Sequence, residues 1–474
     1  MPTQPMTDQH SHPDFGTRWF ARTDLGDERR QRRLINSANQ LVAQPGQSLP
    51  DVFQSPADLK GLYRLMANDN VSHESILRSA RQETLMQIRR FCRESSEQPV
   101  LVVHDITELD YSKHKSIHDE LGQVGNGGGK GYICHNSLAL FEDGSVLGLT
   151  NQILHRRPVR AKSETRKQMR ERESRETRLW VRGTAGLPSD HNVIDVCDAG
   201  ADTAEFLEHE YFSGRRVVIR SGYQRNIQPG HEGNSVKQPL RKYIHRQRSC
   251  GEIVQDVQGQ GGRKPRKARK ARLLVSFAAM RIFISGVGRI QRDKEPLRLW
   301  MVRVWEPRPP AGEDPIEWRL WTNEPLESFD DALRIVDWYT QRWTVEEYHK
   351  AMKTCCRIEQ CQFTSTDRLE PMIALLSVVA TSLLRLRDMS RRANAKCRSA
   401  KTIFPREYVT VLSQWRWGRT RPGLNVHEFF YALARLGGHQ NRRRDKLPGW
   451  QILWRGWQKL QAMVTGHQLA EKCG

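Results

Sequence analysis

Acid is the scarce ingredient of this 474-residue sequence: 54 Asp and Glu stand against 76 Lys and Arg, leaving a net charge of +22. Such an excess of one sign points to a polyanionic partner, of which nucleic acid is the commonest. Long hydrophobic runs are missing too. The longest largely apolar stretch, Met372 to Leu384, has 13 residues, short of the roughly 20 that a membrane span needs. It reads as a buried core helix, and no membrane partner is expected. The nine cysteines are odd in number and include no Cys-x-x-Cys pair, which argues against a disulfide framework or zinc site and suits a reducing cytoplasm. Met1 to Phe15 is polar, lacks the apolar core of a signal peptide, and is expected to be a disordered tip. A phosphate-cradling loop is absent as well. In Gly125-Asn126-Gly127-Gly128-Gly129-Lys130-Gly131, Val124 replaces the required upstream glycine and Gly131 replaces the magnesium-binding Ser or Thr.

What is present suffices for a sizeable core, since 37% of the residues are hydrophobic, and the length predicts two or three domains. Asp27 is placed to cap a helix from Glu28. Arg29, Arg30, Arg32 and Arg33 crowd its first turns against the helix dipole, which suggests a phosphate partner; a solvated face is the alternative. A second short helix is expected near Pro56 to Ala67 and a longer one over Ser72 to Cys92. The first two look like a small helical DNA-binding domain over 1–75, and the longer one leads into the next domain. Pro99 to His104 is then a continuous apolar run ending in Asp105, the pattern of a strand covered on both faces, whose carboxyl end is where open α/β sheets place chemistry. Asn192 to Asp198 repeats the pattern, and of Asp195, Asp198 and Asp202 the middle one sits where strand passes to turn. Between these runs, strands at Tyr132 to Phe141 and Ser145 to Gln152 and a charge-laced helix over Glu164 to Trp180 are expected.

From about 222 to 321 the pattern changes to short strand-like runs, a β-rich insertion. It contains the basic run Arg263, Lys264, Arg266, Lys267, Arg269 and Lys270, suited to lying along a DNA backbone. Next comes Tyr339 to Lys353. At ~100° per residue, Tyr339, Arg342, Glu346, Lys350 and Lys353 fall within an arc of about 80° on a continuous helix. A carboxylate among cations suits a divalent metal beside polyphosphate; a solvated face of ion pairs is the alternative. Arg385 to Lys401 is read as a basic helix, Trp415 to Arg419 as loop-rich, and Trp450, Leu453, Trp454, Trp457 and Leu460 as the apolar stripe of a last helix.

Asp105, Asp198 within Cys-Asp-x-x-Ala-Asp, and the spacing Tyr339-x2-Arg342-x3-Glu346-x6-Lys353 together resemble the bacterial Asp-Asp-Glu (DDE) transposases. The chain is similar to the IS-four family of insertion sequences, of which the Tn-five transposase is a relative. The similarity extends over Leu25-Gly26-Asp27, the Trp318 strand, Leu433 to Gly438 and the Trp454/Trp457 helix. Departures are His104, where the relative has an acid, and Ala199-Gly200 in place of a charged pair.

The resemblance implies an α/β fold: a ribonuclease-H-like catalytic core over 76–385, interrupted by the β-rich insertion. A small all-α DNA-binding domain would precede it, and an α-helical dimerisation domain over 386–474 would follow. It implies that Asp105, Asp198 and Glu346 are catalytic and hold two Mg2+ ions, with Mn2+ able to substitute. Tyr339, Arg342 and Lys353 would grip phosphates near the cut, Lys350 and Arg220 would make further DNA contacts, and Trp318 would stack on a flipped base. The implied activity is cut-and-paste transposition by a cytoplasmic homodimer acting on double-stranded DNA, both transposon ends and target, through a hairpin intermediate. A catalytically silent DNA-binding relative and a structure-selective nuclease are the alternatives.

Overall fold

The computed structural model describes residues 15–473 apart from 54, 96, 159–162, 189–191, 233–234, 258–266, 284–294, 443–444 and 446. Two compact units divide the chain. One comprises Leu85–Glu108 and Gly122–Glu346; the other gathers Met1–Thr84, Leu109–Leu121 and Glu347–Gly474.

The first unit is built on a twelve-stranded sheet: β1 (Val100–Asp110), β2 (Gly122–Val124), β3 (Gly129–Phe141), β4 (Val146–His155), β5 (Val193–Cys197), β6 (Arg216–Arg220), β7 (Asn226–Pro229), β8 (Gln238–Pro239), β9 (Gly251–Val257), β10 (Arg269–Ile282), β11 (Leu297–Trp305) and β12 (Glu317–Thr322). Their order is β2-β3-β1-β5-β6-β12-β11-β10-β7-β8, with β4 on β3 and β9 on β10. β1, β5 and β6 are mutually parallel neighbours. Their apolar residues run without alternation because both faces are covered. Val100, Val102 and Val193 pack with Ile88, Leu147 and Leu187. On the same face, Val217, Ile219 and Trp321 pack with Phe206, Leu240 and Ile244. The helix Phe329–Thr340, started by a Ser328/Asp331 capping box, packs against β5, β6 and β10–β12. Strands β7 to β12 thus prolong the sheet rather than forming a separate one.

In the second unit the helix Thr366–Arg391 is central. Among the described residues it alone is long and apolar enough to cross a membrane. It is instead buried against the helices Glu28–Ala43, Pro56–Met66, Val426–Leu436 and Trp450–Cys473, which brings the helical segments expected at the two ends of the chain into one unit. Asp27 caps the helix Glu28–Ala43, its carboxylate accepting from Arg29 N at 2.7 Å. The stripe Trp450, Leu453, Trp454, Trp457 and Leu460 is buried within the chain, Trp457 stacking on Tyr408 at 5.2 Å.

Several local expectations are corrected. The helix expected over Glu164 to Trp180 is broken into Arg166–Glu171, a 3-10 turn Glu176–Arg178 and Leu179–Gly183. Arg172 is extended, with ψ 132, and pairs with Glu164; no apolar stripe carries the helix through that point. Trp415 to Trp417 are helical within Arg406–Trp417, and only Gly418, at φ 68, ends it, as a left-handed C-cap should. The Tyr339 to Lys353 stretch is not one helix: Phe329–Thr340 stops, Gln341 and Arg342 form a turn, Trp343–Lys350 follows and Ala351–Cys355 is a π-turn. The arc expected of a continuous helix is therefore lost.

Candidate active site

Parallel registration of β1 with β5 runs from Val100↔Val193 to His104↔Cys197. The next residue on each strand is an acid, Asp105 and Asp198. By strand alternation both share the face covered by the helix Phe329–Thr340. β1 continues to Asp110, so Asp105 marks the end of parallel pairing and not the end of its strand. Asp198 caps the 3-10 turn Ala199–Ala201, its Oδ1 accepting from Gly200 N at 2.8 Å. The turn at Gln341 and Arg342 then delivers the third acid, Glu346, in the first turn of Trp343–Lys350.

Arg342 joins the group. Its Nη1 donates to Asp105 Oδ2 at 3.3 Å and its Nη2 to Glu346. Asp105 is 14% exposed. Burial, with the Asp198 charge next and Glu346 adding to it, pushes its carboxyl up to about 7, against the opposing pull of Arg342 and of the Ile106 N–H. Tyr339 is buried, which raises its phenol; Arg220 hydrogen-bonds to it, and its ring meets Trp318 edge-on at 5.7 Å. Tyr339, Arg342, Arg220, Trp318 and the three acids thus lie in one neighbourhood, all within the first unit.

Among the described residues no group of three or more His, Cys, Asp and Glu side chains stands assembled for a metal ion. The chemistry of the donors nevertheless fits one. Three carboxylates are hard oxygen ligands of the kind Mg2+ takes, and two of them, Asp198 and Glu346, add to burial in raising the third, Asp105. Arg342 is the side-chain cation that contacts two of the three.

Two family models match. One, described as Transposase DNA-binding, covers residues 13–71; the other, described as Transposase DDE domain, covers residues 102–383, more than half of the chain. The chain belongs to the DDE transposases. The match implies a ribonuclease-H-like core, with which the β3-β1-β5-β6 order and the parallel trio at its centre agree. It also marks this transposase as an enzyme acting on DNA.

The remaining expected DNA contacts fare unevenly. Lys350 is exposed at the end of Trp343–Lys350, and Lys353 lies 3.6 Å from Glu359. In the DNA-binding segment Arg29 is 86% exposed, its Nε 3.7 Å from Asp27 Oδ1. Arg30 is turned back onto Leu25 O at 2.6 Å and Arg33 is paired with Asp58 at 2.6 Å. In the insertion Arg263, Lys264 and Arg266 fall outside the described residues. Lys267 and Lys270 are exposed, whereas Arg269 is committed to Glu306 at 2.7 Å and Glu313 at 3.3 Å. Its charge is spent on folding the insertion.

The sequence reading missed a polar network on the far face of the same strands. His104 Nε2 bonds Asp195 Oδ1 at 2.8 Å, and His104 Nδ1 meets Ser137 Oγ at 2.9 Å. Arg215 binds the other oxygen of Asp195 and lies 3.4 Å from Glu210. Burial alone would raise the Asp195 carboxyl; Arg215 and His104 more than offset it and hold it low. Burial and the Asp195 charge push Glu210 well up. The network ties β1 to β5 one residue below Asp105. Its one legible signal was Asp195 itself, an acid in mid-run among strand residues buried on both faces, where a charge requires a partner.

Proposed function

We propose that this DDE transposase works by cut-and-paste transposition, with Asp105, Asp198 and Glu346 as its catalytic acids. The observation that carries this reading is the Arg342 bridge between Asp105 and Glu346, with Asp198 close enough to raise the Asp105 carboxyl. DDE transposase domains generally use divalent metals; here the three carboxylates would hold Mg2+, which activates a hydroxyl nucleophile and stabilises the leaving oxygen of an in-line displacement. Arg342 is then released to grip the phosphate beside the cut, a task for which its forked donors suit it. Tyr339 and Arg220 lie next along the same face, and Trp318 offers an edge of aromatic surface for a displaced base. The segment matched as Transposase DNA-binding would recognise terminal inverted repeats, Arg29 reaching a phosphate.

The 3′ hydroxyl freed by the first cut attacks the phosphodiester of the opposite strand, forming a hairpin as the flanking DNA leaves on its own 3′ oxygen. Water reopens it, and the same hydroxyl attacks target DNA. Two copies of the chain, as in the IS-four transposases it resembles, would pair the two ends.

The test uses the full-length protein and linear DNA carrying the inverted repeats that flank its reading frame, with Mg2+ or Mn2+. Nicks at the repeat ends, hairpins on denaturing gels and joining to a second DNA are expected. Binding without nicking in either metal would show a silent relative. Nicking that ignores the repeats and yields no joined product would show a nuclease.

A further inference from the structure

Within the helical unit, the last helix and the π-turn Ala351–Cys355 border an open pocket of about 570 Å3, a size that suits a small ligand. Gln451, Trp454, Arg455 and Gln458 line one side and recur at i, i+3, i+4 and i+7, on one face of the helix Trp450–Cys473. Gly46, Cys355 and Arg357 line the other. These walls are built together. Gly46 has φ 82, and a Cβ there would lie 2.0 Å from Cys355 O, so glycine alone lets the two segments approach this closely. Gln461 of the same helix donates through Nε2 to Ala43 O, which fastens the helix to the segment leading into Gly46.

The pocket is cationic, and no Asp or Glu lines it. Arg455 is exposed and enters no ion pair among the described residues; along the sequence no acid stands between Asp445 and Glu471. Arg357 is exposed as well and donates to Gly46 O at 3.3 Å. The acid nearest to it along the chain, Glu359, lies 3.6 Å from Lys353. Burial, against the pull of Lys350, pushes the Cys355 thiol up to about 11, so it brings no opposing negative charge. Arg357 is also one of two non-glycine residues among those described that are held left-handed, at φ 49 and ψ 39. That conformation is costly for a residue with a Cβ, and such costs gather where a ligand fixes the side chain's place.

We propose that Arg357 and Arg455 clamp a phosphate ester in this pocket, with the amides of Gln47, Gln451 and Gln458 reaching the sugar or base attached to it. Guanidinium forks match phosphate oxygens bidentately, and carboxamides are common donors to phosphate and sugar. Bound DNA and a free nucleotide both present this chemistry. DNA is favoured, because Gly46 and Gln47 belong to the segment matched as Transposase DNA-binding. That choice of source rests on the transposase reading, whereas the phosphate site does not.

The experiment compares full-length wild type, R357Q/R455Q, R455K and R357G in two arms. One is a salt titration of binding to a labelled inverted-repeat duplex; the other is calorimetry with dAMP and no DNA. For DNA, R357Q/R455Q is expected to bind the duplex about tenfold more weakly, with a salt slope shallower by about 1, and R455K should keep most of the affinity. For a free nucleotide, duplex binding stays the same and the heat of dAMP binding seen with wild type is lost in R357Q/R455Q. If the arginines change neither arm, the site is overturned. A wild type that does not bind the duplex overturns the transposase reading instead, and the dAMP arm then decides the site. R357G should melt no lower than wild type, since glycine suits the left-handed backbone, yet bind about threefold more weakly. Lower melting with unchanged binding would make Arg357 a support of the turn and overturn its part in the clamp. Matching thermal midpoints separate binding loss from misfolding, and the two single variants keep the test open should the double variant unfold.

Discussion

The Arg342 guanidinium spans Asp105, at 3.3 Å, and Glu346, so one side-chain cation serves two carboxylates delivered by a strand and a helix. It stands where a metal ion would compete with it. Replacing it with glutamine keeps much of the shape and removes the charge. R342Q is therefore expected to bind Mn2+ about tenfold more tightly in calorimetry, as relief of about 1.4 kcal/mol of like-charge opposition gives. Its DNA nicking should nevertheless fall at least 100-fold, on the order of an electrostatic contact at the reacting group. Unchanged metal affinity would remove the counter-ion role.

Asp105 gives the metal-free protein a pH dependence of definite sign. Its folded carboxyl titrates near 7, whereas unfolded it titrates near 4. Over that interval the folded chain holds the extra proton, so this group's contribution is complete below pH about 4 and is lost as pH rises to about 7. With chelator present, D105N should melt several degrees above wild type at pH 8, roughly 3–6 °C, and the gap should narrow at pH 5. A gap that ignores pH would place the proton elsewhere.

The His104–Asp195–Arg215 network is an internal brace. Asp195→Ala would leave Arg215 buried without its carboxylate, a loss of about 3–5 kcal/mol, whereas His104→Ala should cost less, about 1–3 kcal/mol. Urea denaturation measures both. A double-mutant cycle should give a coupling energy above about 0.5 kcal/mol; additive losses would mean that the two side chains do not act together.

The three acids and their neighbour Asp202 should separate cleanly. D105A, D198A and E346A are expected to abolish nicking while end binding stays within a few-fold. Asp202 is wholly buried on Arg225 at 2.7 Å and on the Gly222 and Tyr223 amides. D202A should therefore unfold the protein at lower denaturant, by about 3 kcal/mol, before any catalytic effect can be read. Retained nicking in any of the first three would strike that residue from the site.

The strands around Asp105 and Asp198 were legible because double burial writes continuous apolar runs; Asp198 follows its strand directly, whereas Asp105 lies within a strand that continues to Asp110. Asp198 was distinguishable from its neighbours by its place where the strand passes to the turn; that Asp195 and Asp202 are buried and paired with Arg215 and Arg225 emerges only in the fold. The break at Gln341 and Arg342 was not legible, since neither residue is a glycine or proline and the surrounding spacing remains helical. The fates of Arg33, Arg269 and Arg303 were equally hidden. Their partners Asp58, Glu306 and Glu317 become neighbours only through packing or strand registration, and a basic residue in sequence carries no mark of which acid will claim it.

The continuity of the sheet through β6 into β12 has a practical consequence. Strands β7 to β12 cannot be trimmed away as a detachable module: excision would bare the backbone edge of β6 and the apolar Ile219 that Trp321 covers, inviting association between molecules. The same hydrogen-bonded route runs from the outer strands to Cys197, the residue before Asp198. A load on the outlying strands, such as a bent duplex, would thereby be felt at Asp198, one of the proposed catalytic carboxylates.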